Sequence, residues 1–440
     1  MAIFKLKDLA KVELSGVDKK TNTGEQSVRL CNFVDVYNNW AITHELYDGF
    51  MEATARPNEI SRFKLKKGQV AFTKDSETRD DIGIPAYIAE DFTDVILGYH
   101  NALVTPDESR LSGKYLNALM HTEYARKYWA NNASGSGQRY ALSVDAIESF
   151  PVPLPSLSEQ QRIGDIFSDL DKKICLNKQI NQNLEAMVMQ LYDYWFVQFD
   201  FPNEEGKPYK SSGGAMTFYD CLGMEIPSTW KICQLHDFIN SHNTGDWGTD
   251  KPLDKNSIQV GCIRGADILK LNNLPTRYIK GNNTCKLLRP WDIVIEVSGG
   301  SPVQATGRSA LITDGVIERN GGKITCSNFC HAFSMNNPEE AVYFYFLWRV
   351  LYDNDLMFNF EGKTSGIKNF MTDAFLANYW YKADDKLISS FFEKVNPLIA
   401  QMDCNIKENN QLIQQRDELL PLLMNGQVSV TQLNSDLLHD

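Results

Sequence analysis

The sequence predicts an α+β protein: two similar mixed α/β domains are separated by two long antiparallel coiled-coil helices, with a pseudo-twofold internal repeat. Three observations lead to this fold class. Local motifs recur at a distance of about half the chain, and each copy is followed by a sustained heptad pattern. The hydrophobic fraction of 43% and the aromatic fraction of 11% are enough to build packed cores in a chain of 440 residues.

Three pairs of segments carry the repeat. Each pair joins a landmark in the first half of the chain to a similar one in the second half, namely 63–70 with 285–294, 83–86 with 307–310, and 106–108 with 338–340. A repeat distance of this length is far too long for a solenoid, so it indicates two copies of one globular unit.

The repeat and the turn signals divide the chain into six predicted parts. The run Pro151-Val152-Pro153-Leu154-Pro155 forbids helix and ends the first domain. Within that domain, the spacing of apolar side chains predicts one helix over 112–129. The predicted parts are a first domain over 1–153, a long helix over 154–200, an exposed linker over 201–225, a second domain over 226–380, a long helix over 381–427 and a tail over 428–440.

Heptad spacing defines both long helices. In the first helix, one row of apolar side chains is interrupted by Asn177, and in the second helix the matching row is interrupted by Asn409. We assign the other row of the first helix to Ile166/Phe167, Ile174, Ile180, Met187/Val188 and Tyr194/Trp195. Such seams are too apolar to stand alone in water, so the helices are expected to pair. We further expect Asn177 and Asn409 to lie close together and fix the register.

Composition limits the classes of function. The net charge is −12, but the windows 56–79 and 264–323 hold seven basic against three acidic and nine basic against five acidic residues, or +4 each. A locally basic face on an acidic protein can bind phosphates, although two ordinary solvated surfaces would explain the same charges. The start of the chain lacks a signal peptide, and nine scattered cysteines fit reduced thiols, so we expect a cytoplasmic protein.

No motif in the sequence supports catalysis or a metal site. The segment 299–309 resembles a phosphate loop only loosely, because it lacks the glycine and lysine spacing and has Arg308 instead. Cys326, Cys330 and His331 have no second pair of metal ligands nearby, which favours buried free thiols over zinc. We therefore expect neither an enzyme nor a metalloprotein.

Recognition of DNA is the remaining signal. In each half, a basic segment is combined with a loop of small residues, which would allow close approach to phosphate and to base edges. Arg264 adds one more cation. The predicted DNA-binding residues are Lys64, Lys66, Lys67, Lys74, Arg79, Ser134, Ser136, Gln138, Arg139, Arg264, Lys286, Arg289, Arg308, Lys323, Lys363, Thr364, Ser365 and Lys368.

The chain resembles the specificity subunits of type I restriction-modification enzymes over essentially its whole length. Four segments carry the resemblance. They are Pro-Val-Pro-Leu-Pro-Ser-Leu-Ser-Glu-Gln-Gln-Arg-Ile at 151–163, Tyr-Trp-Phe-Val-Gln-Phe-Asp-Phe at 194–201, Gly-Lys-Pro-Tyr-Lys at 206–210, and Leu-Leu-Pro-Leu-Leu-Met-Asn-Gly-Gln-Val at 419–428. The second junction, at 379–384, lacks the proline-rich form of the first.

The resemblance implies two target recognition domains that read the two halves of a bipartite double-stranded DNA sequence in the major groove. It implies that the paired helices set the gap and dock two modification subunits, which use S-adenosylmethionine to methylate adenine. Restriction subunits, two of them in a full complex, would add ATP and Mg²⁺ chemistry. No cofactor would be bound by this chain. Because the two halves differ in sequence, we predict an asymmetric target.

Two other functions remain open at this point. The chain could serve a methylation-only or related phage-defence assembly that lacks a nuclease. It could also be a coiled-coil scaffold with two protein-binding heads, which would not show the steep salt dependence of a DNA-binding protein.

Overall fold

A computed structural model describes residues 2–135, 137–299, 303–364, 367–424 and 426–427. The chain divides into two compact units: residues 1–176 with 409–440 form unit 1, and residues 177–408 form unit 2. Each unit combines an α/β domain with parts of two long helices. Within unit 1 we call residues 2–154 the first domain, and within unit 2 we call residues 231–382 the second domain.

The first domain is built from thirteen strands and five short helices among its described residues. The strands are β1 (Ala2–Lys5), β2 (Ala10–Leu14), β3 (Gln26–Cys31), β4 (Ala41–Ile42), β5 (Met51–Ala55), β6 (Val70–Thr73), β7 (Asp75–Ser76), β8 (Pro85–Ile88), β9 (Val95–Leu97), β10 (Asn101–Pro106), β11 (Ser134–Gly135), β12 (Tyr140–Ala141) and β13 (Pro151–Leu154). The helices are α1 (Phe33–Asn38), α2 (Pro57–Phe63), α3 (Gly113–Met120), α4 (Glu123–Asn132) and α5 (Val144–Glu148).

The helix predicted over 112–129 is divided into α3 and α4. Thr122 takes an extended backbone between them, and its hydroxyl accepts a hydrogen bond from the backbone N–H of Ala125. This is the geometry of an N-cap, so a second helix begins where the apolar spacing alone predicted continuity. Trp129 of α4 is fully buried and stacks on Phe72 of the sheet, at a ring distance of 5.7 Å.

Unit 2 begins with the remainder of the first long helix, α6 (Leu157–Tyr192), and ends inside the second, α10 (Asp385–Met424). A hairpin of β14 (Met216–Tyr219) and β15 (Met224–Pro227) occupies the segment predicted as a linker. The second domain follows with β16 (Lys231–Gln234), β17 (Ser241–Thr244), β18 (Ile258–Ile263), β19 (Thr276–Ile279), β20 (Ile293–Glu296), β21 (Ser298–Gly299), β22 (Ser309–Leu311), α7 (Asp314–Arg319), β23 (Ile324–Cys326), β24 (Cys330–Ser334), α8 (Pro338–Asp353), β25 (Glu361–Thr364), β26 (Ile367–Phe370), α9 (Thr372–Leu376) and β27 (Tyr379–Lys382).

The strand orders of the two domains correspond sheet by sheet. The main sheet β2-β10-β6-β8-β4 matches β17-β24-β20-β22, and β5-β3-β9 matches β19-β18-β23, including one antiparallel and one parallel pairing in each. The small sheet β11-β12-β7 matches β25-β26-β21, and the closing pair β1-β13 matches β16-β27. The internal repeat predicted from sequence is therefore present as a repeated topology.

The repeat extends to single side chains. Before β6, the Gln69 side chain accepts a hydrogen bond from the backbone N–H of Lys66 at 2.8 Å and donates one to Thr105 at 2.8 Å. Before β20, Asp292 accepts from the backbone N–H of Arg289 at 2.7 Å and from a serine hydroxyl of β24 at 2.6 Å. A different residue type thus closes the same turn in each copy.

The same turn requires a left-handed residue. Gly68 has a φ of 93°, and Trp291 at the equivalent place has a φ of 73°. Glycine adopts this region readily, whereas a tryptophan does so only when its surroundings hold it there. The Trp291 ring packs edge-on against Phe392 at 5.5 Å, and this contact helps to stabilise the left-handed backbone of Trp291.

The long helices pair in antiparallel fashion in each unit. In unit 2, Tyr192 of α6 contacts Phe391 of α10, whereas Asn181 of α6 donates to the Met402 carbonyl at 3.0 Å, so partner numbers fall along α6. The buried positions of α6 are mostly spaced by three, four or seven residues, as in a coiled coil. They are Gln160, Ile163, Gly164, Phe167, Ile174, Asn177, Val188 and Tyr192.

One position of the predicted second row is wrong, because Ile180 is exposed. Ile180 and Met187 of α6 are exposed, as is Tyr194 in the π-helical turn that follows, whereas Val188 and Trp195 are buried. Phe167, Ile174, Val188 and Trp195 are buried, and Asn181, which continues their spacing of seven, is half-buried. Adjacent apolar pairs at 187–188 and 194–195 made the two phases indistinguishable from sequence.

Both predicted register residues are buried on the helix pair. The Asn177 amide donates to a Glu408 carboxylate oxygen at 2.7 Å within unit 2, and the Asn409 amide donates to the Ile174 carbonyl at 3.3 Å within unit 1. Asn405 adds a further amide contact, to Asn181 at 2.7 Å. Polar side chains buried on a coiled-coil seam favour one register over its alternatives, so both residues remain candidates for that role.

Candidate nucleic-acid interface

Two equivalent hairpins carry most of the loop residues that the sequence singled out. The first hairpin (134–141) joins β11 to β12 and pairs with β7 in the first domain. The second hairpin (361–370) joins β25 to β26 and pairs with β21 in the second domain. A two-stranded antiparallel ribbon of this kind fits the width of the DNA major groove.

An acidic residue anchors the base of the first hairpin. Asp75 is buried, and its carboxylate lies 2.6 Å from His100 Nδ1 and 2.9 Å from Lys74 Nζ. Burial opposes ionisation of Asp75, but the hydrogen bonds from His100 and Lys74 outweigh it and lower the pKa of the carboxyl group. Arg139 joins this network, because its Nη2 lies 2.6 Å from His100 Nδ1 and 3.8 Å from Asp75 Oδ2.

A cleft of about 480 Å³ opens beside the first hairpin. Gln138 and Arg139 line one side of it, and Phe33 and Tyr37 of α1 line another. The two aromatic rings are stacked at 5.6 Å, and the Tyr37 hydroxyl donates to Asp81, which raises the pKa of the phenol. The cleft therefore places amide, guanidinium and aromatic groups around one opening.

The remaining predicted DNA-binding residues of the first domain are more widely scattered than those that line the cleft. Lys66 and Lys67 are exposed in the turn before β6, and Lys64 is half-buried. Arg79 is exposed and lies over the Tyr140 ring at 5.1 Å. Ser134 is exposed, with its hydroxyl donating to the Ala141 carbonyl at 3.3 Å, and Ser136 lies outside the described residues.

The second hairpin has its own charged anchor. Lys368 Nζ lies 2.8 Å from Glu361 Oε2 and 5.2 Å from the centre of the Phe358 ring. Burial opposes ionisation of Glu361, but hydrogen bonds from Lys368 and Thr306 lower its pKa. Lys363 and Thr364 belong to β25, opposite Lys368 and Ile367 in register, and Ser365 lies outside the described residues.

Several cations of the second domain are held by acidic partners that the sequence analysis did not identify. Arg308 binds the buried Glu296 through two nitrogens at 2.8 and 2.6 Å and donates to the Gly265 carbonyl at 3.0 Å. Arg264 forms a two-pronged pair with Asp267 at 2.7 and 2.9 Å. Arg308 is only slightly exposed, so its guanidinium is committed to the interior of the domain.

The other basic residues of the second domain lie nearer to solvent. Lys286 donates to the carbonyl and the hydroxyl of Thr244 at 2.7 and 2.9 Å, and Arg289 and Lys323 are exposed. Acidic partners such as Glu296 were missed because they lie far from their cations in sequence. Asp75 beside Lys74 and Asp267 three residues after Arg264 are close enough in sequence to have given a signal.

Metal, thiol and membrane-spanning features concern the described residues alone. That part of the chain contains no group of three or more histidine, cysteine, aspartate or glutamate side chains arranged to hold a metal ion. Cys326 and Cys330 are buried, and burial raises the pKa of both thiols, to about 12 for Cys330. None of the helices described is long and apolar enough to cross a bilayer.

The sequence and the structure were compared with known proteins. Residues 1–186 match the family model for the type I restriction modification DNA specificity domain. The chain is 26% identical over 397 residues to the type I restriction enzyme MjaIX specificity subunit of Methanocaldococcus jannaschii, covering 85% of this chain and 81% of the relative. It is 31% identical over 137 residues to the HindI specificity subunit of Haemophilus influenzae, covering 31% and 29% respectively.

A solved structure agrees with these matches at the level of the fold. The S subunit of a type I restriction-modification system from M. genitalium covers 96% of this chain with 95% of its own, at a TM-score of 0.50 and 12% identity. The match of the first domain, the relative that spans most of the chain and the shared fold point to one family. By these matches the chain is similar to the specificity subunits of type I restriction-modification enzymes, and its residues 1–186 match their DNA specificity domain.

Proposed function

We propose that the chain is the DNA-recognition subunit of a type I system in which each domain reads one half of an asymmetric, bipartite target. The observation that carries the proposal is the pair of equivalent hairpins with different side chains. The first hairpin presents Gln138 and Arg139, whereas in the second Lys368 is paired with Glu361 and lies beside Phe358. Because the two hairpins share a fold but carry different side chains, the two half-sites should differ in sequence.

Exposed cations supply the part of binding that does not depend on sequence. Lys66, Lys67 and Arg79 in the first domain, with Arg289 and Lys323 in the second, are the predicted residues best placed for phosphate. Arg308 is better explained as an internal tie, because its bidentate partner Glu296 is buried, whereas Arg264 is exposed although it pairs with Asp267. Alanine at an exposed cation should weaken binding to all sequences about equally and reduce the salt slope by about one.

The long helices would set the gap between half-sites and dock two modification subunits. Three exposed apolar side chains at a spacing of seven support a docking role for the outer face of α6 and the turn after it. They are Ile180, Met187 and Tyr194. A stripe with this spacing suits a partner helix.

In this proposal the chain performs no chemistry itself and works in the cytoplasm, where it meets chromosomal DNA. The modification subunits would bring S-adenosylmethionine and flip out the target adenine. Restriction subunits, where present, would bring ATP and Mg²⁺. A methylation-only assembly would use this chain in the same way, and neighbouring genes would distinguish the two systems.

Long-read methylation sequencing of the host with and without the gene tests the proposal. Loss of N6-methyladenine at one gapped, asymmetric motif is the expected result. A palindromic motif would contradict the asymmetric reading. If the purified complex showed no salt-dependent binding to DNA, the two-headed protein scaffold would replace the proposed function.

A further inference from the structure

His100 and Phe329 occupy the same position in the two domains. Each immediately precedes the strand that lies beside the centre of its main sheet, β10 or β24. The His100 carbonyl accepts a hydrogen bond from the backbone N–H of Lys74 at 2.9 Å, and the Phe329 carbonyl accepts one from Val297 at 2.8 Å. Both residues therefore sit where the main sheet meets the strand that holds a hairpin.

Phe329 is an exposed aromatic side chain at this junction, with 55% of its surface accessible. Its carbonyl also accepts from the backbone N–H of Ser298, whose side chain contacts Asn369 of the second hairpin at 2.6 Å. On the other side, Asn328 accepts from the backbone N–H of Trp247 at 2.9 Å. The exposed ring is thus carried on backbone that is fixed from two directions.

His100 uses the same position differently. Its ring lies 2.6 Å from Asp75 Oδ2, and Arg139 Nη2 lies within 3.0 Å of both ring nitrogens. Arg139 itself is largely exposed, with 59% of its side chain accessible. His100 therefore holds a guanidinium at the edge of the first hairpin, where Phe329 presents an apolar ring in the second domain.

We propose that this shared position determines one base of each half-site. Phe329 packs on the 5-methyl group of a thymine in the half-site read by the second domain. His100 is a positioning residue that holds Arg139 toward the O6 and N7 acceptors of a guanine in the half-site read by the first domain. An apolar ring matches the thymine methyl, and an arginine fork matches guanine, in the major groove. The inference rests on the proposed function of the chain.

Base analogues test each contact in the complex with its modification subunits. Replacing the contacted thymine by deoxyuridine removes only the methyl group, and should weaken binding by the wild-type complex about fourfold. Phe329→Ala should weaken binding to the thymine target and abolish this difference, whereas Phe329→Leu should keep most of it. Scanning each thymine of the second half-site by deoxyuridine identifies the position.

The guanine contact is tested in the same way. 7-Deazaguanine, which lacks the N7 acceptor, should weaken binding by the wild-type complex at one position of the first half-site by at least about fivefold. Arg139→Ala and His100→Ala should both remove this sensitivity, and His100→Gln should restore part of it. A purely structural role of His100 would lower binding without changing the response to the analogue.

Matched controls separate the possible outcomes. Phe218→Ala removes a phenylalanine of similar exposure from β14, and should leave the response to deoxyuridine unchanged. Sensitivity to both analogues that persists in Phe329→Ala and His100→Ala would overturn the inference while leaving the proposed function intact. A wild-type complex with no gapped motif at all would refute the proposed function first.

Discussion

At the scale of single residues, the structure separates cations that face solvent from cations that form ion pairs inside a domain. Lys66, Lys67 and Arg289 are exposed, whereas Arg308 is enclosed with Glu296. Sequence alone identified all of them as basic residues in a recognition domain. It could not identify their partners, because a pairing such as that of Arg308 with Glu296 depends on two neighbouring strands being in register.

Arg308→Ala is expected to destabilise the second domain by about 3 kcal/mol, because Glu296 would remain buried without its cation. Urea unfolding followed by circular dichroism measures the loss. Replacing both residues by methionine should recover most of it. The control Arg289→Ala removes an exposed charge and should change stability by no more than about 0.5 kcal/mol. Equal stability of the two alanine variants would contradict the prediction.

A half-buried histidine with an enclosed ring nitrogen should make unit 1 sensitive to acid. His121 stacks on Trp40 at a ring distance of 4.0 Å, and Arg416 lies over the same tryptophan at 5.1 Å. Burial, helped by the charge of Arg416, lowers the pKa of His121 to about 3. Protons therefore bind the unfolded chain better than the folded one, and stability falls as the pH drops from about 6.5 toward 3.

His121→Phe is expected to keep the stack and remove this acid sensitivity. Between pH 7 and pH 5.5, the wild type should lose about 1 kcal/mol more unfolding free energy than the variant. Urea unfolding at the two pH values gives the difference directly, and other titrating groups cancel in the comparison. Equal losses in the two proteins would mean that His121 is protonated without cost in the folded state.

At the scale of elements, the sequence predicted the helices and the repeat far better than it predicted the phase of the seam. Heptad spacing marked the length of both helices, since only a long helix maintains that spacing. The phase at 187–188 depended on which of two adjacent apolar residues faces the partner, and Val188 rather than Met187 does so. The break at Thr122 was missed because the helices on either side of it keep compatible apolar spacing.

Replacing Asn177 and Asn409 by leucine tests their role in register. We expect a higher unfolding temperature together with mixed oligomeric states, because leucine strengthens a seam that the amides restrict to one alignment. Thermal unfolding and light scattering after gel filtration measure the two effects. Asn183→Leu, an exposed position on the same helix, serves as the control. A stabilised variant that stays uniform would remove the register role.

At the scale of the whole molecule, a repeated scaffold that carries different side chains in its two copies would allow one chain to recognise two unlike sequences, as proposed. The sequence predicted this organisation because its landmarks survive in both copies, as at Gly83 and Gly307, which share a left-handed backbone. It did not predict which of the candidate cations are exposed and which are enclosed by acidic partners, since that depends on strand neighbours and burial. Phe329 gave no signal at all, because one phenylalanine in a loop resembles any other.

Lengthening the helices should widen the recognised gap. One additional heptad in each helix, after Lys178 in α6 and after Lys407 in α10, adds about 10.5 Å, or about three base pairs at about 3.4 Å each. Methylation sequencing is expected to return the same half-sites with the longer gap. An insertion of three residues in each helix disrupts the heptads and should abolish the motif. An unchanged gap in the heptad variant would exclude the helices as its determinant.

The pairing of β1 with β13, and of β16 with β27, brings the two ends of each domain side by side. For the gene, this means that each reading module is a cassette with adjoining points of insertion. Under the proposed function, recombination across those points would exchange one module while the helices stay intact. A lineage could then acquire a new half-target in one genetic event, without the partner subunits having to change.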